Sequence, residues 1–326
     1  MNHVQLKTRV VGVDVSSERT VFGIVDIRGN VIAKDSFPTF DCENVADFET
    51  RLCDSIVALI EANGGYETIR SVGVSSPSAN FVTGCIENAA NLPWKGVIPL
   101  AAMMQDRLGL AVGVANDAHA TAMGEKVYGS AHGMNDFVVL NLGVGLGSCI
   151  FSGGRPQLGA HGFAGEVGHT CVVLNGRQCG CGHKGCLETY VNAKGIVDTA
   201  KEVMAESDAP SLMRSLENLS ARTVKECCDQ GDELAIEVYR RTGHMLGLGL
   251  ANFASIVNPE AMIFTGGISQ AGDWLLEPTA EVFEEHIFPN MKDKVKLLVS
   301  VLDNRERNVL GASAVAWDVK EYSLFK

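Results

Sequence analysis

One pattern occurs twice in this chain and restricts its possible folds more than any other feature. It runs strand, tight turn bearing Ser or Gly, strand, then helices, first from Val10 and again from Asp136. In the first copy residues 10–15 are an apolar run, and 20–27 with 31–36 read as a hairpin turning at Arg28-Gly29-Asn30. Val45, Phe48, Leu52, Ile56 and Leu59 recur at helical spacing and predict a helix over 45–62, stopped by Asn63-Gly64-Gly65. A strand at 69–75, an irregular stretch at 76–96, a short helix at 99–108 and a strand at 111–115 follow. The second copy has strands at 136–142 and 148–151 around Gly143-Val144-Gly145-Leu146-Gly147. Helices are expected at 193–206, 223–230, 232–256 and 274–286. Strands are expected at 261–265 and near 295–301, with a closing helix after Gly311. Two such halves would bring both turns to a common cleft, an arrangement suited to a phosphate-bearing ligand.

The length of 326 residues fits two domains at roughly 150 residues each. A chain that is 46% hydrophobic and 20% charged can bury a sizeable core, which excludes disorder, collagen and coiled coil. Only 6% is aromatic, so that core must be built from Val, Ile, Leu and Ala. The net charge of −12, with no Lys/Arg cluster, repels phosphate backbones and argues against nucleic acid as a partner. No run reaches the ~18 apolar residues of a membrane span, and residues 1–9 lack the apolar stretch of a signal peptide. A cytoplasmic protein without a membrane partner is expected. Residues 245–257 are apolar on nearly every side; Asn252 and Ser255 interrupt them, which points to a buried core helix.

Ten cysteines in a reducing compartment call for an explanation other than disulfides. Cys42, Cys53, Cys85, Cys149, Cys171, Cys227 and Cys228 read as small buried apolar side chains. Cys179-x-Cys181-x4-Cys186, with His169 ten residues upstream, reads as a structural zinc site of four ligands. The alternative is three unliganded thiols in a loop. Gly180, Gly182 and Gly185 weigh against it, because they supply the tight turns of a metal knuckle.

Gly165-Glu166-Val167-Gly168-His169, followed by Cys179-Gly180-Cys181-Gly182-His183-Lys184-Gly185-Cys186-Leu187-Glu188, resembles the signature of the ROK family of bacterial sugar kinases and sugar-responsive repressors. The resemblance runs from Val10 to the helix after Gly311 and includes Asn91-Leu92-Pro93-Trp94, Asn116-Asp117 and Gly266-Gly267. It implies an α/β, two-domain, actin-like and hexokinase-like (ribonuclease H-like) ATPase fold with a central cleft. The expected domains are 1–115 with the C-terminal helix at about 310–326, and 116–309 carrying the zinc.

For the residues, the resemblance implies a hexose held by Asn91, Asn116, Asp117, Glu166, His169 and Glu188, with Asp117 as general base. Taken alone, Asn116-Asp117 after a strand reads as a helix cap. His169 would bind zinc through one ring nitrogen and the ligand through the other. ATP with Mg2+ would meet Asp14, Ser16, Ser17, Arg19, Thr20, Gly143, Val144, Gly145, Gly266 and Gly267. A homodimer is common in the family.

Two turns depart from the kinase pattern. Asp-x-Gly-Gly-Thr is here Asp14-Val15-Ser16-Ser17-Glu18, and Leu-Gly-Thr-Gly is Leu142-Gly143-Val144-Gly145. Both lose hydroxyl or backbone access to phosphate, and Glu18 adds a negative charge. The expected function is an ATP-dependent kinase acting on the 6-hydroxyl of glucose or a related sugar. The alternative is a catalytically impaired sugar-binding sensor or regulator. A DNA-binding repressor is not expected, since the first core strand starts at about residue 10 and leaves no room for a helix-turn-helix.

Overall fold

The computed structural model describes residues 6–303 and 305–319. In chain order it begins with β1 (Arg9–Val15), β2 (Arg19–Asp26), β3 (Val31–Pro38), α1 (Val45–Ala62) and β4 (Ile69–Ser75). Three short strands follow, β5 (Ala79–Asn80), β6 (Cys85–Glu87) and β7 (Val97–Ile98), in the stretch expected to be irregular. Then come α2 (Leu100–Leu108), β8 (Ala111–Ala115), α3 (Asp117–Tyr128), β9 (Phe137–Leu142), β10 (Leu146–Ser152) and β11 (Arg155–Pro156). The chain continues with α4 (Glu188–Val191), α5 (Ala193–Glu206), α6 (Ala221–Cys228), α7 (Glu233–Val257), β12 (Ala261–Thr265), α8 (Asp273–His286), β13 (Lys296–Val299) and α9 (Arg307–Asp318).

The two halves repeat one topology. The first sheet has the order β3-β2-β1-β4-β8 and the second β11-β10-β9-β12-β13. In each, the first three strands pair antiparallel and the last two add in parallel. The hairpin-plus-helices pattern of the sequence is therefore this sheet, formed twice. The parallel strands Ile69–Ser75 and Ala261–Thr265 are buried at every position but Arg70, because helices cover both faces.

Two compact units result: Met1–Gly133 with Ala160–Gly162 and Val301–Lys326, and Met134–Gly159 with Phe163–Ser300. The division falls at Gly133 and again at Val301, not after Ala115 and near residue 310 as expected. The reason is α3, whose start the Asn116 cap marked but whose length no helical period predicted. Every residue from His119 to Glu125 is buried, so α3 has no polar face to create a helical period. It lies against α9 through two glycines; a Cβ on Gly124 would come within 3.0 Å of the Gly311 Cα.

In the first unit α9 seats on the sheet over a row of glycines. Gly23, Gly12, Gly73 and Gly113 are register partners across β2, β1, β4 and β8. A Cβ on Gly12 would strike Val309 O and Ser313 N, and one on Gly73 would strike Ala312 O and Ala316 N. The row removes side chains where helix backbone meets sheet backbone, and Ser71 Oγ donates to Ala316 O (2.7 Å) beside it. The other face packs Phe48, Leu52, Ile56 and Ile60 of α1 against Val11, Val13, Val72 and Val74.

In the second unit α7 crosses the core, with Leu246, Leu250, Ala251 and Ala254 buried. Gly243 and Gly247 let it approach Pro278 and Thr279 of α8. In the apolar run over 245–257, Leu246, Gly247, Gly249, Leu250, Ala251 and Ala254 are buried, whereas Ile256 near its end is 78% exposed. Among the described residues, no helix is long and apolar enough to cross a membrane.

Candidate functional site

In the first unit, β1, β4 and β8 end together: Asp14 is the register partner of Ser75, and Ser75 of Ala115. Side chains at these strand ends therefore converge. Ser75 Oγ donates to Asp117 Oδ1 at 3.3 Å, and Asn308 Nδ2 at the start of α9 donates to Asp14 Oδ2 at 2.9 Å. Burial, followed by the nearby Asp14 charge, pushes the Asp117 carboxyl up to about 7, against the Ser75 hydrogen bond. Burial also raises Asp14, while hydrogen bonds from Asn308 and Ser75 pull it down. A carboxyl poised near neutrality beside a second acid is the environment of a general base.

Asn116 caps α3, its Oδ1 accepting from His119 N at 2.8 Å. The cap reading is thus realised, and only the amide Nδ2 remains for a ligand. Asn91 is exposed in a turn that Lys95 holds by donating to Ala89 O, Ala90 O and Leu92 O, with Trp94 buried on Phe48. His119 is buried edge-on to Phe81, which lowers it to about 4, and its Nε2 has no hydrogen-bond partner. Ser75, Asn308 and His119 were not anticipated from the sequence. Ser75 carried a signal, since it closes an apolar strand in register with Asp14; Asn308 carried none.

The turn at 16–19 differs from expectation in one residue and adds to the loss at another. Ser16 Oγ donates to Arg19 O (2.8 Å) and accepts from Arg19 N (3.2 Å), so its hydroxyl serves the turn and faces no phosphate. Arg19 Nε donates to Ser36 Oγ (2.8 Å), while Ser17 and Glu18 are exposed. Thr20 is not a nucleotide contact. It is fully buried, its hydroxyl paired with Thr39 Oγ1 at 2.8 Å, because alternation along β2 turns it into the core.

In the second unit, His169, Cys179, Cys181 and Cys186 place their ligand atoms within 4.8 Å of one another. Cys179 Sγ lies 3.7 Å from His169 Nδ1, and Cys181 Sγ lies 3.7 Å from Cys186 Sγ. A tetrahedral Zn2+ with bonds of about 2.3 Å to sulfur separates its ligand atoms by about 3.8 Å. The donor set therefore fits zinc. Burial pushes the Cys179 thiol up to about 12 and raises Cys186, which is the cost of this cluster without a cation to hold thiolates.

The knuckle is anchored by Arg177. Its guanidinium donates to Thr189 O and Gly195 O (3.0 Å each) and to Thr199 Oγ1 (2.9 Å), and stacks on Tyr190. His169 sits in a one-turn 3-10 helix, Val167–His169, tied to β10 by Ser148, which donates to Gly165 O and accepts from Val167 N. Its Nδ1 faces Cys179, and its Nε2 faces away toward Glu166 Oε2 at 3.9 Å.

Glu188 joins the knuckle to the turn at 143–145. Its Oε1 lies 3.3 Å from Cys179 Sγ, and its Oε2 accepts from Leu146 N at 3.2 Å. Gly145 leaves room for that carboxylate, since a Cβ there would stand 3.0 Å from Oε2. Val144 at the tip is 92% exposed. Gly266 has φ +91° and no space for a side chain beside Leu142 O, whereas Gly267 is open. Of the seven cysteines expected to be buried, Cys42, Cys53, Cys149, Cys227 and Cys228 are, Cys85 is half-buried, and Cys171 is exposed.

Known proteins resemble this chain along most of its length. The glucokinase of Halalkalibacterium halodurans is 32% identical over 320 residues, covering 95% of this chain and 94% of that protein. A ROK family glucokinase from Streptomyces griseus, solved with glucose and AMPPNP, superposes with a TM-score of 0.76 at 29% identity, over 95% of this chain and 99% of that one. A ROK family transcriptional regulator, a homologue of the E. coli MLC protein, superposes with a TM-score of 0.85 at 25% identity, over 95% of this chain and 78% of that one. The fold is the α/β, actin-like ATPase fold of these neighbours. The ROK family model matches residues 10–319, and the chain belongs to the ROK family.

Proposed function

We propose that this protein is a cytoplasmic ATP-dependent hexose kinase acting on the 6-hydroxyl of glucose or a related sugar. The observation that carries the reading is Asp117: a half-buried carboxyl held by Ser75 and raised to about 7 beside Asp14. Phosphoryl transfer is mostly positioning and charge neutralisation, and the attacking hydroxyl must lose its proton to a nearby base. Asp117 takes that proton. In the first unit, Asn91 and the Nδ2 of Asn116 offer hydrogen bonds to hexose hydroxyls; in the second, Glu166, the outward Nε2 of His169 and Glu188 offer them. Each buried hydroxyl left unpaired would cost about 1–3 kcal/mol, so a hexose requires several polar groups.

Mg2+ brought with ATP would neutralise the donor phosphates, and Asp14, the acid beside Asp117, would be the residue to hold it. His169, Cys179, Cys181 and Cys186 would hold Zn2+, which would fix the knuckle and orient His169. The Gly143–Gly145 turn and the Gly266-Gly267 turn are the nucleotide side.

A second reading, a sugar-binding sensor without turnover, is favoured by the turn at 16–19. Ser16 spends its hydroxyl internally, and Glu18 is exposed where a polyphosphate would approach. The two are separated by coupled ADP release across a hexose panel with ATP and other donors, alongside sugar-induced thermal shifts. A kinase releases ADP with one hexose and loses that activity in Asp117→Asn while keeping the thermal shift. A thermal shift with no ADP release for any sugar and donor selects the sensor.

A further inference from the structure

The metal knuckle has beside it one thiol that the four-ligand set does not use. Cys171 is exposed, two residues past His169, and pairs with Cys186 across an isolated antiparallel bridge. The flanking backbone bonds, Leu187 N to Thr170 O and Val172 N to Gly185 O, are both 2.9 Å. They make Cys171 and Cys186 a non-hydrogen-bonded pair, in which opposed Cα atoms stand about 4.5 Å apart with side chains on one face. A disulfide requires a Cα separation of roughly 4.4–6.8 Å. Gly185 shows how near the thiol lies: a Cβ there would come within 3.3 Å of Cys171 Sγ.

We propose that Cys171 and Cys186 form a peroxide-sensitive dithiol whose oxidation removes a ligand from the zinc and releases it. The proposal rests on the zinc reading of the cluster. Cys171 is exposed and outside the ligand set, whereas Cys186 is 1% exposed, so the oxidant meets Cys171 first. The Cys171 thiolate attacks one oxygen of hydrogen peroxide; the O–O bond breaks, hydroxide leaves, and a sulfenic acid remains. The Cys186 thiolate then attacks that sulfur, the S–O bond breaks, and a second hydroxide leaves as the S–S bond forms. Protons from solvent convert both hydroxides to water. The peroxide gains two electrons and the two thiols lose them. Zinc is left with His169, Cys179 and Cys181, one ligand short of its tetrahedron.

The test uses the full chain as purified, its zinc measured by elemental analysis. Hydrogen peroxide is added, released zinc is followed with a chromogenic chelator, and disulfides are mapped by mass spectrometry of unreduced peptides. The wild type should lose its zinc together with appearance of a Cys171–Cys186 linked peptide, reversed by thiol reductant plus zinc. Cys171→Ser should slow release at least tenfold, and Cys85→Ser should not change it. Release from Cys171→Ser within twofold of wild type overturns the proposal, as does a map dominated by Cys181–Cys186, whose sulfurs are 3.7 Å apart. A chain purified without zinc refutes the metal reading separately. The peptide map of that metal-free chain still decides the pair, and absence of the Cys171–Cys186 link there overturns it too.

Discussion

Replacing Asp117 by Asn should abolish turnover and, above neutral pH, stabilise the protein. The carboxyl is raised from 3.8 to about 7, first by burial and then by the charge of Asp14. Its ionised form is therefore disfavoured in the folded chain relative to the unfolded one. Each tenfold change in proton affinity is worth about 1.4 kcal/mol, so ionised Asp117 costs the native state about 4 kcal/mol above pH 7 as a ceiling. The sign follows from proton uptake. Between about pH 4 and pH 7 the native state holds a proton that the unfolded state has released, so stability falls as pH rises across this window and is level above it. Asn keeps the shape and can accept from Ser75, but it forfeits the attraction of an acid for the first turn of α3, about 0.3–1 kcal/mol. A net gain of at most about 3–4 kcal/mol at pH 8 remains. Urea unfolding of both proteins without Mg2+ or nucleotide, at pH 8 and pH 5, measures it. The advantage of Asp117→Asn should shrink by at least half at pH 5. An Asn form that is no more stable at pH 8, or an advantage independent of pH, would show that Asp117 does not titrate as this environment requires.

Two further perturbations test the turns and the glycine row. In an active enzyme, Ser16→Gly, Ser17→Gly and Glu18→Thr combined with Val144→Thr should lower the ATP KM severalfold and leave the hexose KM within twofold. An unchanged ATP KM in steady-state kinetics would mean that these turns do not limit nucleotide binding. Gly73→Ala drives a methyl group into Ala312 O and Ala316 N and must lift α9 from the sheet. Overpacking of this kind costs about 1–3 kcal/mol, read from the urea midpoint, and a loss under about 0.5 kcal/mol would refute close seating of the helix.

The Cys/His cluster was legible because its information is local. Cys179, Cys181 and Cys186 are separated by glycines that only a tight turn requires, and His169 lies ten residues away. The duplicated strand-turn-strand pattern was legible for the same reason: hydrophobic alternation and turn residues act within a few positions. α3 escaped because burial on all sides erases the polar face that marks a helix. Thr20 was misread because motif position says nothing of which face of β2 it occupies. Cys171 looked like its buried namesakes, and only the bridge to Cys186 places it on the knuckle. Sequence alone determined which residues are candidates for the chemistry: the Cys/His cluster, the Asn116-Asp117 pair and the altered turns. Tertiary structure decided what those residues can do. Asn308 reaches Asp14 across 294 positions because a row of glycines lets α9 lie on the sheet. Asp117 acquires an affinity for protons near neutrality because burial and the charge of Asp14 act through space, between groups that the chain order keeps far apart.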